Sequence, residues 1–268
     1  MAYLTSYSAD AASLRDGRTE DAAPRATASR EAAQAAAAVA RPLRVALWGG
    51  TGATGLEVLK QCLRDPRIGD IRAFVRRPLP CDDRRVSQVL VGDFLDMKPQ
   101  RAELRDIDVV YWCLGISQLH EPEEWGYRII TREYTLAAAE VLVQESPAAT
   151  FHYLSGQGAS RNGLSPVMWG RVKGEAEKAL STLGLKRLVV WRPTFIHSVA
   201  GRERPTRGDR MAELLRFRAI PLLTNSTLDI AHAMLHTTFA SGGDTTHGPW
   251  DITRIARRYR EALEGGQR

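Results

Sequence analysis

A short apolar run, Leu43-Arg-Val-Ala-Leu-Trp48, leads straight into Gly49-Gly-Thr-Gly52-Ala-Thr-Gly55, after which Leu56, Leu59 and Leu63 recur at helical spacing. A strand that turns at once into a helix favours residues without a Cβ, because the backbone bends sharply and helix and strand come close together. The first turn of such a helix carries N–H groups with no partner inside the helix, an arrangement that suits an anion. In this strand–turn–helix context the spacing commits the chain to an α/β unit. It also implies phosphate groups held by Gly49, Gly52, Ala53, Thr54 and Gly55. A tight turn with no ligand is the plainer alternative.

The rest of the chain repeats that theme. Apolar runs at 44–48, 71–75, 89–91, 108–114, 150–155 and 188–192 read as strands, several of them continuous as in a sheet covered on both faces. Helical patterns at 55–63, 124–143 and 166–180 lie between them. The alternation predicts an α/β fold, a doubly wound parallel sheet of Rossmann type with right-handed crossovers, followed by a small α-rich C-terminal extension. Residues 1–40 differ: they are Ala-rich and poor in large apolar side chains, which predicts a disordered tail with a transient helix at Ala32–Ala40, ahead of one domain over 41–268. Asp10, Asp16, Glu20, Asp21 and Glu31 make this tail too acidic for an organelle transit peptide.

The end of the second strand selects the cofactor. About twenty residues past the glycines, an NAD site usually offers Asp or Glu to the ribose 2′-hydroxyl. This chain offers Arg76 and Arg77, which suit a 2′-phosphate, so NADP(H) is favoured over NAD(H). Asp93, after the third strand, is suited either to accept from the adenine amino group or to cap a turn.

These segments, with Val109-Val-Tyr-Trp-Cys-Leu-Gly115, Tyr153-Leu-Ser-Gly-Gln-Gly-Ala159, Arg171-Val-Lys-Gly-Glu-Ala-Glu177 and Trp191-Arg-Pro-Thr194, resemble the short-chain dehydrogenase/reductases. The likeness is to the atypical members grouped with the Tat-interacting oxidoreductase. The resemblance implies that Cys113, Leu114 and Gly115 pass the nicotinamide-side ribose and that Arg192 and Pro193 lie beside the nicotinamide. It also implies a catalytic Ser155, a catalytic and ribose-binding Lys173, and a tyrosine four residues before that lysine. Trp169 stands in the tyrosine's place. An indole N–H donates a hydrogen bond but does not give up a proton at neutral pH. Proton supply then falls to Lys173, to another hydroxyl such as Tyr127 or Tyr134, or to water.

Two functions follow. One is an NADP(H)-dependent oxidoreductase acting on a small organic substrate. The other is a non-catalytic NADP(H)-binding regulatory or interaction protein, which the loss of the tyrosine would tolerate; a homodimer or a protein partner is compatible with either. The formal charge of +6 is spread among acids, which argues against a nucleic-acid face, and no apolar run reaches the length of a membrane span. Three separated cysteines, Cys62, Cys81 and Cys113, fit a reducing, cytoplasmic setting. His232 and His236 sit at i, i+4 without an evident third ligand, so no metal is expected. The arginines at 202, 204, 207 and 210 in the 197–210 stretch suit either a polar loop or closure over an anion. A C-terminal helix capped by Asp251 is expected after Trp250.

Overall fold

The computed structural model describes residues 41–198 and 224–265. The expected N-terminal tail and most of the arginine-bearing stretch lie outside the described residues. Everything below belongs to the compact unit Pro42–Arg268.

Six strands form in the expected order: β1 (Leu43–Trp48), β2 (Ile68–Val75), β3 (Val86–Leu90), β4 (Val109–Trp112), β5 (Thr150–Leu154) and β6 (Arg187–Trp191). A short β9 (Thr245–His247) completes a seven-stranded sheet of order β3-β2-β1-β4-β5-β6-β9, and each neighbouring pair is parallel. Two further strands, β7 (Phe195–His197) and β8 (Thr224–Ser226), pair with each other apart from the main sheet. The helices are α1 (Ala53–Arg64), α2 (Glu124–Arg128), α3 (Tyr134–Glu145), α4 (Met168–Thr182), α5 (Thr227–Thr238) and α6 (Pro249–Gly265).

The sheet is covered on both faces, and strand alternation divides its side chains between them. From β1, Val45 and Leu47 join α1, α5 and α6 through Val58, Leu59, Ile230, Met234 and Ile252. Ala46 and Trp48 face the other way, against Leu136, Leu142, Ala176 and Leu180 of α3 and α4. All residues of β4 and β6 are buried, which is why those runs show no polar alternation in sequence.

Three details depart from expectation. The 124–143 pattern is not one helix: α2 passes into a π-helical turn at Ile129–Glu133 before α3 begins. That turn shifts the apolar stripe, and the Thr135 hydroxyl donates to the Thr131 carbonyl within it. β9 was not foreseen because Thr245-Thr-His247 is a three-residue edge strand with no apolar signal. Asp251 lies inside the first turn of α6 rather than capping it from outside, and its carboxylate accepts the Gly248 N–H at 3.3 Å.

A polar chain crosses the core where β4, β5, β6 and α5 meet. The Trp191 indole N–H donates to His152 Nδ1 at 3.1 Å, so the proton of this neutral imidazole sits on Nε2, 3.3 Å from the Thr238 hydroxyl oxygen. Thr238 in turn donates to the Met234 carbonyl, and Tyr111 OH lies 2.7 Å from the same hydroxyl. Complete pairing is what allows these groups to be buried.

Candidate functional site

The strand order reverses between β1 and β4, and a parallel sheet binds ligands in the crevice beyond its strand ends at such a point. A cleft of about 230 Å³ lies there, lined by Gly49–Gly52, Phe74–Arg77, Phe94 and Cys113–Gly115. Gly49 has φ +79°, and a Cβ on it would stand 2.5 Å from the Cys113 carbonyl carbon. The turn therefore rests directly on the chain leaving β4. A Cβ on Gly55 would reach 2.2 Å from the Gly49 oxygen, so the first turn of α1 is pressed against the same turn. Gly52 donates its N–H to the Gly49 carbonyl at 2.8 Å. No side chain caps α1 and no acid stands in its first turn, so the N–H groups that begin this helix have no partner from its own first turn, an arrangement that suits an anion.

Arg76 and Arg77 are exposed at the cleft's edge, and among the described residues neither forms an ion pair. Asp93 Oδ1 accepts the Leu95 N–H at 2.8 Å, so the turn-capping alternative is realised. Gly50, Thr51, Phe74, Val75 and Phe94 line the cleft without having been singled out in the sequence. Phe74 stacks on Trp48 at 4.1 Å between centroids and 3° between planes, and Trp48 lies 5.1 Å from Trp112. Position in the aromatic run that ends these strands was the available signal. Burial pushes the Cys113 thiol up to about 12, which fits a small apolar residue and not a nucleophile.

Along the same edge of the sheet, beyond the end of β5, the expected catalytic residues are placed unequally. Ser155 donates its hydroxyl proton to Glu177 Oε1 at 2.6 Å. Glu177 is fully buried and also takes Arg192 Nε at 2.9 Å, Arg192 Nη2 and Arg161 Nε at 2.9 Å. Burial by itself would raise this carboxyl, but the donors from Arg192, Ser155 and Arg161 outweigh it and hold the group below the usual range. The Arg192 side chain is thus turned to Glu177, while the Pro193 carbonyl accepts the Gln157 N–H at 2.8 Å and braces the loop after β5.

Lys173 lies one helical turn before Glu177. Its Nζ donates to the Leu154 carbonyl at 3.1 Å and stands 5.7 Å from the Tyr153 ring centroid. Burial pulls the ammonium down to about 8, opposed by the charge of Glu177. Trp169 shares that helix face, as the i, i+4 spacing implies. Its six-membered ring meets the loop after β5: a Cβ on Gly156 would lie 3.1 Å from Trp169 Cζ3 and 3.7 Å from Lys173 Cδ, and one on Gly158 would lie 3.2 Å from Trp169 Cη2. The position that faces Trp169 and Lys173 is therefore 156, whereas Ser155 faces Glu177. Tyr127 is buried with its phenol pushed up to about 12 by desolvation, and Tyr134 packs on Phe94 at 5.5 Å. His232 and His236 lie elsewhere, and among the described residues no group of three or more His, Cys, Asp or Glu is arranged to hold a metal. No helix among them is long and apolar enough to cross a membrane.

The chain has a Rossmann-type α/β fold, a seven-stranded parallel sheet with a glycine turn and a cleft at the point where the strand order reverses. Among curated proteins it is similar to Protein HTATIP2 of Rattus norvegicus, 29% identical over 151 residues, or 56% of this chain and 61% of that protein. Protein FMP52, mitochondrial, of Eremothecium gossypii is 26% identical over 145 residues, 54% of this chain and 62% of that protein. The chain thus spans about three fifths of the length of these relatives. No family model matches. Among solved structures, DesIV (dTDP-glucose 4,6-dehydratase) from Streptomyces venezuelae with NAD and TYD bound has TM-score 0.60 at 15% identity, covering 83% of this chain and 81% of that one. MoeE5 in complex with UDP-glucuronic acid and NAD has TM-score 0.60 at 17% identity and 82% coverage of each chain. At these identities the structural likeness defines the fold alone.

Proposed function

We propose that the protein binds NADP(H) with its pyrophosphate on the Gly49–Gly55 turn and its 2′-phosphate between Arg76 and Arg77. The observation that carries this reading is the pair of exposed guanidiniums at the end of β2, which form no ion pair among the described residues and have no carboxylate beside them in the sequence to receive a free hydroxyl. Thermal unfolding with NADPH, NADH and no ligand tests it. A ligand at a hundred times its Kd adds about 2.7 kcal/mol, and NADPH should stabilise selectively. Arg76→Ala together with Arg77→Ala should remove the selectivity without removing binding, and equal stabilisation of the unaltered chain by NADH defeats the assignment.

The reading extends to an oxidoreductase of a small organic substrate. A bound nicotinamide dinucleotide supplies or takes up a hydride. The chain's own contribution is Lys173, the amine that burial tunes towards neutrality and that can hold or release a proton beside the reacting end. Ser155 acts indirectly by joining the β5 loop to Glu177. The packing of Trp169 on Gly156 favours a second reading, a non-catalytic protein whose cofactor steadies a surface for a partner. Single-turnover oxidation of NADPH with carbonyls, enones and quinones separates the two. Turnover abolished by Lys173→Ala supports the enzyme; NADPH binding with no turnover on any of these acceptors supports the other reading. The three free thiols favour a reducing, cytoplasmic setting, which imaging of a tagged chain would test.

A further inference from the structure

A larger cavity, of about 650 Å³, opens at the opposite end of the sheet, where the C-terminal ends of α1, α5 and α6 converge. α1 alone separates it from the glycine turn, about 18 Å at the helical rise of 12 residues. Its volume is that of a small-molecule site, and its groups are already set in place. Asp65 accepts Arg67 N–H at 3.0 Å, Arg67 Nε at 2.9 Å, Arg67 Nη2 at 2.7 Å and Tyr259 OH at 3.3 Å. Its charge is spent, so the acid does not recruit a cation. The Arg67 guanidinium lies 3.5 Å over the Phe239 ring.

The helix ends are also answered elsewhere. Arg85 donates to the Leu63 carbonyl at the end of α1, and Arg187 donates to the Thr237 and Ala240 carbonyls at the end of α5. That leaves Arg64 at the cavity as an exposed guanidinium without an ion pair among the described residues. His232 is 7% exposed, and its Nδ1 is buried with no hydrogen-bond partner. A buried N–H without an acceptor is rarer than an acceptor without a donor. The proton of this imidazole, whose pKa is lowered chiefly by burial, therefore belongs on Nε2, and the residue lines the cavity. The Tyr259 ring flanks His232 at 5.1 Å, and Phe239 and Leu263 supply apolar wall.

We propose that this cavity binds a small aromatic carboxylate, its oxygens taken by Arg64 and the His232 Nε2–H and its ring held against Tyr259, Phe239 and Leu263. Two donors, one of them charged, in the lining of a cavity that also carries Tyr259, Phe239 and Leu263 fit an acceptor-bearing planar acid better than a cation or a purely apolar body. The proposal does not depend on the NADP(H) reading.

Calorimetric titration of the full chain with naphthoate, with and without saturating NADPH, tests it. Saturable binding that NADPH does not displace is expected, and it should weaken about tenfold in Arg64→Ala, an exposed change that leaves the core intact. Leu263→Glu, which sets a carboxylate in the cavity lining, should weaken it as well. The His232 ring resonances should move with naphthoate and not with NADPH. Naphthalene methanol, which lacks the charge, should bind more weakly than the acid. Absence of saturable binding, displacement by NADPH, or equal binding of the alcohol and the acid with Arg64→Ala silent would each overturn the proposal.

Discussion

Replacing Glu177 by Gln keeps the size and planarity of the side chain and removes its charge. The carboxylate has no exposed surface and receives Ser155, Arg192 twice and Arg161. In the amide one oxygen becomes an NH2, and on the Oε2 side it would point a donor at two other donors. The Arg161 side chain is 42% exposed, so water recovers its charge and its share is about 0–1 kcal/mol. Arg192 is 23% exposed. Breaking a fully buried pair costs about 3–5 kcal/mol, and partial access of water brings this one nearer 2 kcal/mol. With Ser155 still bonded to the remaining oxygen, the total is about 2–3 kcal/mol, or a Tm lower by roughly 4–12 °C for a domain of this size. Urea unfolding followed by circular dichroism reads it directly. Arg192→Met added to Glu177→Gln should recover more than half the loss, because it removes the stranded charge. A loss below about 1 kcal/mol, or a double variant no better than the single one, would refute the claim that this carboxylate ties β5, β6 and α4 together. Since the native carboxyl is held low by its donors, its contribution is present above the unfolded-chain value near 4.5 and fades as pH falls below it. The Gln variant should lose that part of the acid slope.

Gly55→Ala drives a methyl onto the Gly49 carbonyl at 2.2 Å; NADPH-dependent stabilisation should vanish, and an unchanged thermal shift would show that the turn is not the cradle. His152 is held down to about 3, first by burial and then by the charge of Arg187, against 6.5 in a free side chain. Its neutral form thus favours the fold above pH 6.5, and on the order of 2 kcal/mol should be lost as pH falls from 6.5 to about 4.5. His152→Phe should flatten that window in urea titrations, whereas an unaltered slope would assign it to other groups. If the fold is competent for tyrosine-assisted chemistry, Trp169→Tyr should create slow carbonyl reduction in an NADPH assay; continued silence with cofactor bound would mean that more than the phenol is missing.

The glycine turn and the cleft beside it were legible because their determinants are local. Gly49, Gly52 and Gly55 report a backbone conformation, and Arg76 and Arg77 report a missing carboxylate at a known distance along the chain. Continuous apolar runs likewise exposed β1, β2, β4, β5 and β6. The polar cluster around Glu177 was less legible, because its pairings are long-range. Nothing local in Ser155, Arg161, Glu177 or Arg192 announces that four such distant residues share one buried charge. The Lys173–Glu177 spacing placed both on a face of α4 but did not say which was solvated. Likewise, neighbouring residues 155 and 156 point to opposite sides of the chain, so a match by motif alone could not tell which of them faces Trp169. β7, β8 and β9, three residues each, are set by pairing with partners and not by pattern.

The contact between Trp169 and the glycines of the β5 loop also orders the paths by which this sequence can change. With the indole in place, a side chain at 156 meets Cζ3 at 3.1 Å and one at 158 meets Cη2 at 3.2 Å, so in either case the ring must give by a few tenths of an ångström. Gly158 is further confined by its φ of +103°, which side chains seldom adopt. Trimming Trp169 first removes the obstacle at 156, and a hydroxyl there then becomes accessible in a second step. The reverse order passes through a crowded intermediate. Position 169 therefore sets the order in which a side chain at 156 becomes tolerable, whereas Gly158 stays confined by its own backbone whatever stands at 169.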